Sequence, residues 1–526
     1  MPRSSRVIAA SLITVAIAVL IAALLWTIAA VAAGQTGSAN RVDVWHLLRM
    51  TSIQAGLTTL LSLTVGTALA WALNRLRFPG RDLLVGLFAS AIVTPGIIVA
   101  FGLLAVWGRA GWINQMSQVL FGVQLEVPIF GLGGILAAHL ILDGAFAARI
   151  LLGRLDAIPS PRLRTGQSLG LGPWTRFATI DWPAIRNTLP GLGAIIFLLA
   201  FTSFPIVLLL GGGPANQTLE VAIYSAVRND FDLDAAVMLA LVQIAACAMV
   251  IVAASAFAPV PSALAQGEPQ HWFDSPRARA MQWTVLVLCT IGFALPLLAV
   301  LANGLSIGLP EVLASRSFWS AVATSLVIAT SSALLTLILA FGLAMGRAAA
   351  SHPLARLGLS VPAYAYLAVP AVVLSLGFFL LVRSIGIAPG SAAPVVVVIA
   401  NALLALPFAV ATLGPPLEAI AASHGKLMAS LGLSGWRRFA LVEWPLLGRE
   451  AGVALTLAFC FSLGDLGVIA LFGTQDFATL PFVMLRALGA YRSNNAAAVA
   501  AVMMLMTIAA FVLLPRLVGR IARAVA

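Results

Sequence analysis

Charge is what this sequence has least of: only 9% of its 526 residues are Asp, Glu, Lys or Arg, against 61% hydrophobic, and mean hydropathy is +1.04. That balance excludes a water-soluble fold. Lysine is nearly absent. Lys426 stands alone and is followed by Leu427, so no G-x-x-x-x-G-K-[ST] loop is available to cradle nucleotide phosphates. The three cysteines, Cys247, Cys289 and Cys460, lie inside apolar runs, which rules out a disulfide framework. The five histidines, His46, His139, His271, His352 and His424, are dispersed, and no H-E-x-x-H or paired C-x-x-C pattern occurs. Metal-centred and nucleophilic catalysis therefore have no support, and the chain is expected to bind no metal or cofactor of its own. A net charge of +12 does not point to nucleic acid either, because the arginines sit between apolar runs and not in a patch interleaved with exposed aromatics.

Long apolar runs fill the chain instead. Windows able to cross about 30 Å of hydrocarbon as helix fall near 7-33, 52-74, 83-107, 131-152, 189-211 and 235-258, then near 281-303, 320-346, 361-382, 394-413, 450-472 and 496-515. Val7 to Ala33 is too long for a signal-peptide core, and reads as an uncleaved first span. Arg75, Arg77, Arg81, Arg154, Arg162, Arg164 and Arg176 lie on the side that the N-terminus shares, so the positive-inside rule makes that side cytoplasmic, with both termini there. The Pro- and Ser-rich segment 261-280 reads as a cytoplasmic linker between two six-span units, 1-260 and 281-526. The expected fold is an all-α polytopic membrane protein of about twelve transmembrane helices in two tandem six-helix repeats of parallel orientation.

The repeats are visible in the residues. SLGLGPWTRFATIDWP at 168-183 realigns with SLGLSGWRRFALVEWP at 430-445, ten identities in sixteen at an offset of 262. Leu155-Asp156-Ala157-Ile158 meets Leu417-Glu418-Ala419-Ile420 in the same register, and Pro95, Gly102 and Gly111 meet Pro370, Gly377 and Gly386 at an offset of 275. A six-span unit returns the chain to its starting side, so the halves form a built-in pseudo-dimer about an axis along the membrane normal. The best-matched segment lies in the cytoplasmic loop after the fourth span of each half. There a helix ending at Gly170 or Gly432 is followed by Trp174 or Trp436, Phe177 or Phe439, and Trp182-Pro183 or Trp444-Pro445, an amphipathic projection suited to a partner's groove.

This loop resembles the permease signature of bacterial ATP-binding-cassette importers, E-A-A, three residues, G, nine residues, I-x-L-P. Here Arg164-Thr165-Gly166 and Lys426-Leu427-Met428 replace E-A-A, and Trp-Pro replaces Leu-Pro. The resemblance implies that Arg164, Gly170, Trp174, Phe177, Pro183, Lys426, Gly432, Trp436, Phe439 and Pro445 belong to two ATPase-coupling loops. It also implies two copies of a separate cytoplasmic ATPase carrying ATP and magnesium, a periplasmic substrate-binding protein, and a place in the bacterial inner membrane. Among such permeases, the stretches LLLGGGPANQTLEVAIYSAVRNDFDLDAAVMLALVQ at 208-243 and SLGDLGVIALFGTQDFATLPFVMLRALGAYRSNNAAAVAA at 462-501 resemble the thiamine and thiamine-pyrophosphate importers. A ferric-iron importer permease is the related alternative.

Ionisable residues inside spans default to functional candidates. They are Asp465, placed to favour a thiazolium cation, and His139 with Asp143; Tyr364 and Tyr366 could stack on an aromatic ligand. The outer-loop residues Glu220, Arg228, Asp230, Asp232, Asp234, Asp476, Arg486 and Arg492 read mainly as solvated groups where a binding protein's lobes could rest. A proton- or sodium-coupled secondary transporter would need coupling carboxylates in several spans, and would leave the duplicated loop unexplained.

Overall fold

A computed structural model describes residues 3–33, 42–255, 272, 274–306, 308–365 and 369–524, and among them the regular elements are all helical. The first repeat contributes α1 (Arg3–Ala33), α2 (Val44–Arg75), α3 (Arg81–Ala89), α4 (Gly96–Trp107), α5 (Trp112–Phe121), α6 (Leu132–His139) and α7 (Ala145–Asp156). There follow α8 (Ser160–Ser168), α9 (Pro173–Arg176), α10 (Trp182–Ile185), α11 (Leu189–Phe201), α12 (Pro205–Leu210), α13 (Leu219–Arg228) and α14 (Leu233–Ser255). The second repeat supplies α15 (Pro276–Gly304), α16 (Gly308–Ala314), α17 (Arg316–Ala349), α18 (Pro353–Ala365), α19 (Ala371–Ser384) and α20 (Pro389–Ser430). It closes with α21 (Gly435–Arg438), α22 (Trp444–Leu463), α23 (Ile469–Phe472), α24 (Leu480–Gly489) and α25 (Ser493–Ala524).

Ten helices among the described residues are long and apolar enough to cross a membrane, and the bent pair Pro173–Ile185 and Leu189–Phe201, angled at 63°, makes an eleventh if counted as one span. The expected windows that do not form single straight helices fail in pairs. Pro95 and Pro370, equivalent in the two repeats, lack an N–H to continue a helix and themselves take an extended ψ, so α4 and α19 each start afresh behind a proline. The windows near 83-107 and 361-382 break there. The windows near 189-211 and 450-472 break after Phe201 and Leu463, again at an offset of 262, before α12 and α23. Most of the 261-280 linker lies outside the described residues; from Pro276 onward it is already α15. Tyr366 and the side chain of Tyr364 also lie outside them.

The helices divide into two compact units that do not follow the order of the sequence. One comprises Met1–Val44, Leu219–Cys247 and Gly304–Ala526, the other Trp45–Thr218 and Ala248–Asn303. The opening helix of each repeat is thus exchanged. In the first unit α1 packs along α17, α18 and α19. In the second, α15 packs through Trp283 on Phe78 and Phe293 on Phe88, with ring centroids 5.1 and 5.6 Å apart.

Lipid tails are as apolar as leucine, so helices in a membrane associate through close packing of small residues. Gly346 lies so close to Ala10 that a Cβ on it would stand 2.1 Å from the alanine methyl, and Gly448 meets Ala522 in the same way at 2.2 Å. In the other unit a Cβ on Gly102 would stand 2.6 Å from the Pro296 carbonyl oxygen. These are the crossings of α17 with α1, α22 with α25, and α4 with α15.

Candidate functional site

The two duplicated loops adopt one conformation. In the first, α8 ends and Gly170 takes a left-handed backbone at φ 65; its N–H bonds Gln167 O at 2.9 Å while the Leu171 N–H bonds Gly166 O at 3.2 Å. Gly432, at φ 64, repeats the pattern with Ala429 O at 3.1 Å and Leu433 N–H to Met428 O at 2.9 Å. This paired closure of a helix C-terminus requires a residue without a Cβ penalty in the left-handed region. One difference is that the second copy has no separate short helix: its turn ends the 42-residue α20.

Beyond the glycine each chain climbs back through a short helix and a π-helical turn, Phe177–Asp181 or Phe439–Glu443, into α10 or α22. Leu169 and Trp174 flank the first glycine and are 71% and 63% exposed; Leu431 and Trp436 flank the second at 64% and 76%. Exposed leucine and tryptophan repeated at matching places form an apolar knob. Arg164 and Lys426 are exposed nearby, whereas Phe177, Pro183, Phe439 and Pro445 are half-buried. The phenylalanines support the knob from beneath. Phe439 packs on Trp436, Trp444 and Phe341 of α17, with centroids 5.3, 5.9 and 5.8 Å away, and Phe177 packs on Trp182 at 6.3 Å. Trp174 itself stacks on Trp71 of α2 at 6.1 Å.

Each π turn ends in a buried carboxylate that sequence reasoning passed over. Asp181 is paired with Arg75 and lies 3.7 Å from Arg176; Glu443 is bound by Arg6 at 2.8 Å and by Arg438 at 2.7 Å. Asp181 and Glu443 are equivalent in the repeat, as are Arg176 and Arg438. That matched acid and base was the available signal.

The ionisable groups expected inside spans sit at irregularities of the helices. His139, just ahead of the π turn Leu140–Gly144, and Asp143 within it are both buried, with His139 Nδ1 2.9 Å from Asp143 Oδ2 and Nε2 without a partner. The residue 262 places beyond His139 is Asn401, also buried, which donates to Ser462 Oγ at 2.9 Å and bonds Asp465. Asp465 lies in the break between α22 and α23, its carboxylate accepting the N–H groups of Gly467 and Val468 at 3.0 and 3.2 Å. Its equivalent in the break of the fifth span is Ser203.

On the other side, Glu220 is not a solvated loop residue but wholly buried, held by Gln243 of α14 at 3.1 Å and by the N–H of Val372. Burial outweighs those two bonds and pushes its carboxyl up to about 8. Two aromatic residues in the loops ahead of the sixth and twelfth expected spans are exposed. Phe231 and Tyr491 close α13 and α24 with left-handed backbones, φ 54 and 58, and are 82% and 96% exposed. A bulky side chain in that region is strained.

No protein-family model matches the chain. It is 38% identical to the thiamine transport system permease protein of Salmonella typhimurium over 489 residues, covering 91% of this chain and 90% of that protein. The protein of the same description from Haemophilus influenzae is 35% identical over 472 residues, covering 88% of this chain and 86% of that one. The molybdenum transport system permease protein of Azotobacter vinelandii is 31% identical over 176 residues, 34% of this chain and 76% of that protein.

Proposed function

The chain belongs to the family of thiamine transport system permeases, and from that premise we propose that it carries thiamine or its phosphates from a periplasmic binding protein across the bacterial inner membrane. Two copies of a separate ATPase drive it. The observation that carries this reading is the duplicated loop: two apolar knobs, Leu169 with Trp174 and Leu431 with Trp436, set on identical glycine turns. Two equal knobs suit two equal clefts. Arg164 and Lys426 rim them, while Phe177, Pro183, Phe439 and Pro445 keep them rigid. ATP and magnesium belong to the partner.

Several contacts support a cytoplasmic position for both ends of the helical array. Arg6 of α1 meets Glu443 of the second loop, and Ala522 of α25 meets Gly448 close behind it. Both ends lie on the coupling-loop side. On this reading the exposed Phe231 and Tyr491 receive the two lobes of the binding protein on the opposite side.

Unwound backbone inside the membrane is tolerated where it lines a cavity, and breaks at matching places in two repeats point to the transported ligand. On this reading Asp465 faces the cationic thiazolium, and the buried pair His139 and Asp143 belongs to the pathway in the other unit. The test is to identify which ligand the cognate binding protein retains, and to measure ATP-dependent uptake of that ligand. Retention of thiamine or a thiamine phosphate supports the reading; retention of ferric iron alone overturns it.

A further inference from the structure

Each duplicated loop is fastened from outside its own helices. Glu443 of the second loop receives both terminal nitrogens of Arg6, Nη1 to Oε1 at 2.8 Å and Nη2 to Oε2 at 2.9 Å. Arg6 lies near the start of α1, the opening helix of the other repeat. In the first loop, Asp181 is held by Arg75, which is also 3.8 Å from Asp274. Trp272 lies against both arginines, 4.1 Å from Arg176 and 5.9 Å from Arg75 measured to the ring centroid. Asp274 stands just ahead of α15 and accepts from Gln282 within it at 2.6 Å. So the second loop is tied to the start of α1, and the first to the start of α15.

We propose that Arg6 is a positioning residue for coupling, tying the second loop to α1, with Asp274 and Trp272 serving the first loop and α15 in the same way. The proposal rests on the reading of these loops as the ATPase contacts. A pushed loop is useful only if its displacement reaches the spans. Through Arg6 a shift of Glu443 reaches α1, and α1 lies along α17, α18 and α19. The link is specific in direction, because a guanidinium fork on a carboxylate fixes orientation as well as distance. It is also sheltered, the two side chains being 9% and 1% exposed, so it escapes the screening that weakens surface pairs.

Arg6→Gln removes the fork yet leaves Arg438 2.7 Å from Glu443, so the buried carboxylate is not stranded. In liposomes holding the complete complex, with thiamine and its binding protein outside, thiamine imported per ATP hydrolysed should fall at least about fivefold, the low end of couplings between distant sites. Arg6→Lys, which keeps the charge without the fork, should restore part of it. Asp274→Asn should lower the ratio through the first loop. A merely structural anchor would reduce folded protein, transport and hydrolysis together and leave the ratio unchanged. If Arg6→Gln fails to insert, Arg6→Lys and Asp274→Asn decide. Wild-type ratios in the inserted variants overturn the proposal. Trp436→Cys separates the two ideas: no cross-link to the ATPase means that the loop reading itself is wrong, whereas a cross-link with unchanged ratios sinks only the role of Arg6.

Discussion

Asp465 occupies in the second repeat the place that Ser203 holds in the first, each in the gap where a span breaks between two helices. The position is polar in both copies but charged in only one. On the proposed reading, the carboxylate at this break is the group that suits a ligand carrying a cationic ring.

Asp465→Asn should therefore lower thiamine uptake at subsaturating concentration about tenfold, equivalent to about 1.4 kcal/mol. Membrane insertion should be intact, since an asparagine oxygen can still accept the Gly467 N–H. Initial uptake rates alongside the amount of membrane protein check this; wild-type uptake would return Asp465 to a purely structural role at the break.

Replacing Gly170 or Gly432 by Arg should abolish transport without abolishing insertion. A Cβ at either position meets nothing within 4 Å, so the strain is that of the left-handed backbone, about 1–2 kcal/mol. The larger effect is a long charged side chain at the centre of the knob. Co-purification of the ATPase and binding-protein-stimulated ATP hydrolysis should both drop.

Phe231→Gly and Tyr491→Gly separate stability from recognition. Relief of left-handed strain, about 1–2 kcal/mol, is offset by the extra freedom glycine gives the unfolded chain, roughly 0.5–1 kcal/mol. Melting temperature should stay level or rise slightly. Stimulation of ATP hydrolysis by the binding protein should weaken, and unchanged stimulation in the double variant would remove these residues from the docking surface.

The buried Glu220 gives a pH dependence of definite sign. Its carboxyl sits at about 8 in the folded protein against 4.5 for the ordinary group, so between those values the folded state holds the proton that the unfolded state has released. Its contribution to stability is complete below about 4.5 and is lost as pH rises through 8. Glu220→Gln should accordingly melt higher than wild type at pH 8 and about equally at pH 4.5. Equal melting curves at both pH values would mean that Glu220 is ionised in the folded protein.

The duplication, the loops, their glycines and most of the spans were legible because each is written in local pattern: apolar length, a tryptophan spacing, a glycine at a helix end. Asp465, His139 and Asp143 were legible as charges among apolar residues. Their settings were not, because a span interrupted by a break or a π turn and an intact one have nearly the same hydropathy. Asp181 and Glu443 were hidden for a different reason. Each sits in a polar loop where an acid looks solvated, and its distant partner, Arg75 or Arg6, is brought in only by tertiary packing. Glu220 was misread in the same way. The exchange of α1 and α15 left no local trace, since both helices are apolar all round and could pack on either repeat.

On the proposed function, ATP binding outside this chain moves thiamine through it by way of two coupling loops. The most direct measurement is labelled-thiamine uptake into liposomes containing this protein and its ATPase, with the binding protein outside and ATP inside. Thiamine should accumulate only when all of these are present together, and accumulation should disappear in the Gly170→Arg, Gly432→Arg double variant. Accumulation driven by a proton or sodium gradient in the absence of ATP and ATPase would contradict it.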